Sequence, residues 1–214
     1  EDVDGMQADG APGGEGCVGD WVNNLIDVIG ENVDLRGVQG LAVENGVVAT
    51  YVNNAQKPGG GEIGVLVARE SGGDADKLAG LGKQLAMHVA AANPQALSTE
   101  AVDPAALERE RQILTEQARE SGKPDNIIEK MVEGRLRKYY EEVCLLEQTF
   151  VIDNETKVAK VVEGFAAEAG APVAISGFVR FALGEGIEKK EENLAEEVAA
   201  TLALARAGDR RLVA

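Results

Sequence analysis

Two amphipathic helical patterns with a sharp reversal between them occupy PAALERERQILTEQARESGKPDNIIEKMVEGRLRKYYEEVCLLEQTFVI, residues 104–152, and constrain the fold more than any other stretch. In the first, Leu107, Leu114 and Ala118 recur at intervals of seven and four, while Glu108, Arg109, Glu110, Arg111 and Glu116 take much of the remaining surface. One stripe is apolar and the rest is wetted. The second pattern carries Ile128, Met131 or Val132, Leu136, Tyr139 and Val143, with Glu129, Lys130, Glu133, Arg137 and Lys138 outside the stripe. Between them Gly122 suits the left-handed position that ends a helix, and Pro124 suits the first position of the next. The pattern predicts an antiparallel helical hairpin over 104–143 that projects from the body, with Leu107, Leu114, Ile128, Leu136 and Tyr139 in its seam. Two helices bury little by themselves, so the seams must close within the pair, against the body or against another subunit.

The 214 residues carry 37 acidic and 21 basic side chains, a formal charge of -16. Such a field repels phosphate backbones and anionic membranes, so neither DNA nor membrane binding is expected. Arg135, Arg137 and Lys138 lie near Tyr139 and Tyr140, but helical geometry fans them around the axis and Glu133, Glu141 and Glu142 offset them. Ion pairing along or between helices is the better reading of that run. Nothing approaches the ~18 uninterrupted apolar residues of a membrane-spanning helix. The acidic, glycine-rich start is unlike a signal segment, and a cytoplasmic chain is expected. Cys17 and Cys144 form no CxxC, and with one histidine they do not readily make a zinc site. His88 is the sole candidate histidine base, and no GxSxG or acid motif accompanies it.

Taken in order, residues 1–19 read as a flexible acidic, glycine-rich lead-in. Asp20 can cap a helix beginning near Trp21, with Leu25, Ile26 and Ile29 on its apolar side and Gly30 at its end. Leu41 to Val43 and Val47 to Val52 read as strands around an Asn45-Gly46 turn, and Ile63, Val65 and Val67 share one face of a third. PGGGEIG lacks the Lys-Ser or Lys-Thr end of a phosphate loop and leads into a strand rather than a helix, so it reads as a sheet connection. Asp74 and Asp76 open a helix with Leu78, Leu81, Leu85 and Val89 buried, stopped by Asn93-Pro94. By position alone His88 is a boundary histidine, packed on the sheet or wet at the helix end.

Beyond the hairpin, Leu145 to Ile152 reads as a strand and Thr156 to Ala169 as a helix ending at Gly170. Val173, Ile175, Val179, Phe181 and Leu183 are expected on one strand face, with Phe178 and Arg180 on the other. Leu194, Val198 and Leu202 support a last helix before a tail at 205–214. The expected class is α+β: two small antiparallel sheets with packed helices and the projecting hairpin. Its parts are the lead-in, an N-terminal core subdomain at 20–103, a C-terminal core subdomain at 104–204 and the tail.

SGKPDNIIEKMVEGRLRKYYEEVCLLEQTFV at 121–151, GFVRFALGEGIEK at 177–189, IGVLVA at 63–68 and LAMHVAAANP at 85–94 together resemble bacterial elongation factor Ts. That family is the guanine nucleotide exchange factor of elongation factor Tu, and the resemblance runs over roughly residues 20–200. It implies a chain that releases GDP by binding the nucleotide-free partner more tightly than the GDP-bound one. It implies no cofactor, because magnesium and GDP belong to the partner. It places His88 toward the partner's nucleotide-binding domain as an inserted side chain, and puts Ile63, Leu66, Met87, Phe178 and Arg180 on the partner-binding face. It also implies protein contact by the hairpin, including a possible homodimer, and reach of the last helix to the partner.

Two departures accompany the resemblance. The family's small N-terminal helical domain and Thr-Asp-Phe-Val segment have no counterpart in these residues, and a missing first portion is the expectation. The paired basic positions after GEN become Arg36-Gly37. The alternatives are a truncated partner-binding or dimerisation module without efficient exchange, and an enzyme built on clustered carboxylates, with or without magnesium.

Overall fold

The computed structural model describes residues 2–11, 13 and 16–187. Among these the order is α1 (Val3–Ala8), α2 (Val18–Ile29), β1 (Gly46–Asn53), β2 (Ile63–Glu70), α3 (Ala75–Ala92), α4 (Pro104–Arg119), α5 (Asp125–Val143), α6 (Val158–Ala169) and β3 (Ala174–Ala182), with single 3-10 turns at Thr99–Ala101 and Leu145–Glu147. Residues 1–182 form one compact unit and 183–214 a second. In the second, the Ile187 N–H closes a turn on the Gly184 carbonyl. The expected last helix and tail lie outside the described residues.

The fold is α+β, but it holds one sheet where the sequence suggested two. The strand order is β1-β2-β3, antiparallel throughout, so a strand beyond the helix pair closes on one that precedes it. Tyr51, Val65 and Arg180 fall in one row, and Ala49, Val67 and Phe178 in the next, on the face that meets α3. Leu78, Leu81, Leu85 and Val89 are buried there as their spacing predicted. Val158, Val162, Leu145 and Phe150 complete this core.

Three sequence-based expectations fail for local reasons. Leu41 to Val43 form no strand among the described residues, and Gly46 opens β1 instead of turning a hairpin. A Cβ at Gly46 would run into the Arg69 carbonyl, so close approach to β2 is what needs the glycine there. On β3 the register shifts opposite Ala68 and Arg69, which pair with Gly177 and Ile175. Ser176 is the extra residue, so Ile175 faces the helices while Val179 faces away; the two do not share a face.

Residues 145–152 are the third failure, because their backbone groups find partners other than a strand. Gln148 N–H returns to Cys144 O, Phe150 N–H reaches Thr156 O, and Gln148 O accepts from Val158 N–H. A buried segment satisfied in this way has no ladder to join.

The front is more structured than its composition suggested. Asp2 caps the six-residue α1, and Gly10 bridges to Cys17. α2 starts at Val18, three residues before Trp21. Cys17 Sγ accepts from Asp20 N–H while the Asp20 carboxylate accepts from Cys17 N–H, so Asp20 completes a reciprocal cap from inside the helix. α2 buries none of its side chains. The irregular segment after it passes the second sheet face, with Leu41 beside Gly177 and Gly37 beside the Phe181 ring.

Candidate functional site

α4 begins on an Asp103 cap that accepts from the N–H groups of Ala105 and Ala106, and Gly122 takes φ +68 in the connection to α5. Leu114, Ala118, Ile128 and Val132 bury one another, with Leu136 half-buried beside them. At the other end Leu107 and Tyr139 pack with Val102 and Val143. Low numbers on α4 thus meet high numbers on α5, and Arg135 adds a 3.0 Å hydrogen bond to Gln117.

One face of this pair is concave. Arg111 and Arg119 stand on its α4 side, Asp125, Glu129 and Glu133 on its α5 side, and Ile128, Val132 and Leu136 between. The α4 wall is basic and the α5 wall acidic.

A second, shallow groove lies where α3, β1 and the 148–152 segment meet. Tyr51, Asn53, Met87, Ala90, Ala91, Val151 and Ile152 line it, and Ile152 is 48% exposed. Met87 is half-buried. Its neighbour His88 is 0% exposed. One ring nitrogen of His88 lies 2.9 Å from Gln148 Oε1, the other accepts from Val151 N–H at 3.2 Å, and the ring packs 5.7 Å from Phe150. Burial pushes the His88 pKa down, opposed in part by the Gln148 hydrogen bond. In this conformation the His88 side chain faces inward and presents no surface of its own.

The other expected site residues divide between the two sheet faces. Ile63, Phe178 and Arg180 lie on the α3 side, where Phe178 packs on the core and Arg180 Nε lies 3.5 Å from Ala90 O. Leu66 lies on the opposite face, in the row of Thr50 and Val179. The fold therefore brings Met87 to the groove and leaves Leu66 on the far side of the sheet. Ile152 and Gln148 went unnoticed in the sequence because they sat in a run read as a strand. The signal was available in a buried-type histidine that would need partners from elsewhere in the chain.

Both cysteines are free thiols, and burial raises the Cys144 pKa. No group of three or more His, Cys, Asp or Glu among the described residues could hold a metal ion. No described helix is long and apolar enough to cross a membrane.

The profile of the family described as Elongation factor TS matches residues 1–185. The chain belongs to the elongation factor Ts family. Elongation factor Ts of Paramagnetospirillum magneticum is 57% identical over 207 residues, covering 97% of this chain and 66% of the relative. That of Rhodospirillum rubrum is 58% identical over 202 residues, covering 94% and 65%. The chain thus spans just under two thirds of the length of these elongation factor Ts relatives. The family match starts well before residue 20, where the resemblance first became readable in the residues.

Proposed function

We propose that this chain is the partner-binding part of a guanine nucleotide exchange factor for elongation factor Tu. It favours the nucleotide-free partner over the GDP-bound one, and linkage then requires factor and GDP to weaken each other's hold. It makes and breaks no bond. Magnesium and GDP are held by the partner, and the work takes place in the cytoplasm. The observation that carries this reading is the match to elongation factor Ts over 97% of the chain. The Met87–Ile152 groove supports it with exposed apolar surface beside a rigid core.

GDP release from elongation factor Tu is the direct test, measured with this chain and with a full-length relative. Both should speed release, and Ile152→Asp should weaken binding of the nucleotide-free partner by about ten- to a hundredfold. A chain that binds no form of elongation factor Tu would overturn the proposal. A chain that binds both forms equally would leave it a partner-binding module without exchange activity.

A second reading, self-association through the helix pair, is favoured by the opposed basic and acidic walls of the α4–α5 groove. Turned about a two-fold axis along the groove, each basic wall meets the partner copy's acidic wall. Arg111→Glu with Arg119→Glu should then shift a dimer to monomer in sedimentation. A wild-type chain that sediments as a monomer at every concentration would exclude this.

A further inference from the structure

We propose that Gln148 is a positioning residue for the Met87–Ile152 groove, acting by anchoring the His88 ring, in its Nε2–H tautomer, against the Val151 N–H. The proposal rests on the groove being the docking surface for elongation factor Tu. Backbone groups have fixed polarity, and here they decide both ends of the network independently. Val151 N–H can only donate, so the His88 Nδ1 it meets at 3.2 Å must be the bare nitrogen. The proton is then on Nε2 and donates to Gln148 Oε1 at 2.9 Å. From the other side, the Gln148 amide nitrogen lies 2.7 Å from the Glu142 carbonyl and 3.5 Å from the Ala92 carbonyl. Carbonyls only accept, so the amide cannot be turned round and its oxygen must face His88. Two separate constraints give one proton arrangement.

The network also has a direction in space. Ala92 ends α3 and Glu142 lies one residue from the end of α5, where carbonyls lack partners within the helix. Gln148, only 4% exposed, gathers both. Through His88 it then fixes Val151, the residue beside exposed Ile152 and a wall of the groove. The end of the helix pair is thereby tied to one corner of the docking surface by Gln148, which lies 60 residues from His88 in sequence.

His88 is the chain's single histidine, so its ring nitrogens report without overlap. Ring nitrogen shifts should show a protonated Nε2 and a bare Nδ1 in the wild type. In Gln148→Leu the ring should lose its anchor at Nε2, so the Val151 amide should exchange about tenfold faster, while protection along α4 and α5 persists. Affinity for nucleotide-free elongation factor Tu should fall about tenfold. A proton on Nδ1 in the wild type would overturn the proposal, as would a Leu variant with unchanged Val151 exchange. Should the Leu variant fail to fold, Gln148→Glu decides: a carboxylate beside Nε2 should raise the pH at which the ring titrates, and an unchanged titration overturns the anchor. Ile152→Asp, measured alongside, separates the two claims, because loss of binding with the tautomer intact supports the docking surface. Unchanged affinity in that variant overturns the docking role, while the ring measurement still decides the anchor.

Discussion

Arg69 shows how much one side chain can leave unpaired inside this core. It is 0% exposed, and none of its three guanidinium nitrogens has a hydrogen-bond partner among the described residues. Burial pushes its pKa down, as expected of a cation taken out of water without a counterion. Arg69→Met keeps the length of the stem and removes the charge, so it should stabilise the fold by about 1–4 kcal/mol. Urea unfolding tests this, and a lower midpoint for the Met variant would refute it. His88 gives the residue-scale pH prediction. Its folded pKa lies below the ordinary 6.5, so the unfolded chain binds its proton first as pH falls. Stability is therefore full above pH 6.5 and declines on acidification toward the folded value, with a slope of at most about 1.4 kcal/mol per pH unit. His88→Gln should flatten that part of the stability profile between pH 6.5 and 5.5. A profile of unchanged slope would mean that His88 titrates alike in both states.

At the scale of elements, α3 meets the sheet closely enough to demand a glycine. A Cβ at Gly82 would run into the Arg69 guanidinium and the Ala49 side chain. Gly82→Ala should therefore destabilise the protein despite alanine's better helix propensity, by about 1–3 kcal/mol. Combined with Arg69→Met the loss should shrink, because the more flexible thioether can give way; additive effects in a double-mutant cycle would contradict the contact. On the helix pair, Val132 is buried against Leu114 and Ala118, whereas Leu136 is half-buried and Glu133 exposed. Val132→Asp should cost at least about 2–4 kcal/mol and Glu133→Ala less than about 0.5. Similar loss of helicity in both variants would refute the seam. This part of the fold was legible in the residues, since a seven-and-four spacing names the buried stripe whichever partner it meets. The 145–152 segment was not, because Leu145 and Phe150 are apolar and inward in a strand and in this irregular run alike.

For the molecule as a whole, the charge of -16 reflects 37 acidic against 21 basic side chains. Lys157 offsets a little of it locally, 2.7 Å from Glu147 and 3.4 Å from Glu141. Like charges repel over about 10 Å at 0.1 M salt and over less as salt rises. Melting temperature should therefore climb between 0.02 and 0.3 M sodium chloride, the range being on the order of one change in screening regime. A flat or falling curve in differential scanning calorimetry would show that attractive pairs outweigh the repulsion. Such a field also repels a phosphate backbone, which argues against nucleic acid as the bound surface.

The sequence by itself determined the elements whose pattern is local. It named the stripe of α3, the apolar stripes of α4 and α5, the stop at Gly170 and the family, since each depends on spacing within a few turns or on runs of matching residues. Tertiary structure alone decided that one sheet forms where two seemed to, that Ser176 is extra and turns Ile175 from Val179, and that His88 faces inward with its proton on Nε2. Periodicity tells which face of an element is apolar, but not which element will cover it. Strand order, register and the proton on a buried ring are set by groups that meet only after distant segments have packed, as Gln148 meets His88.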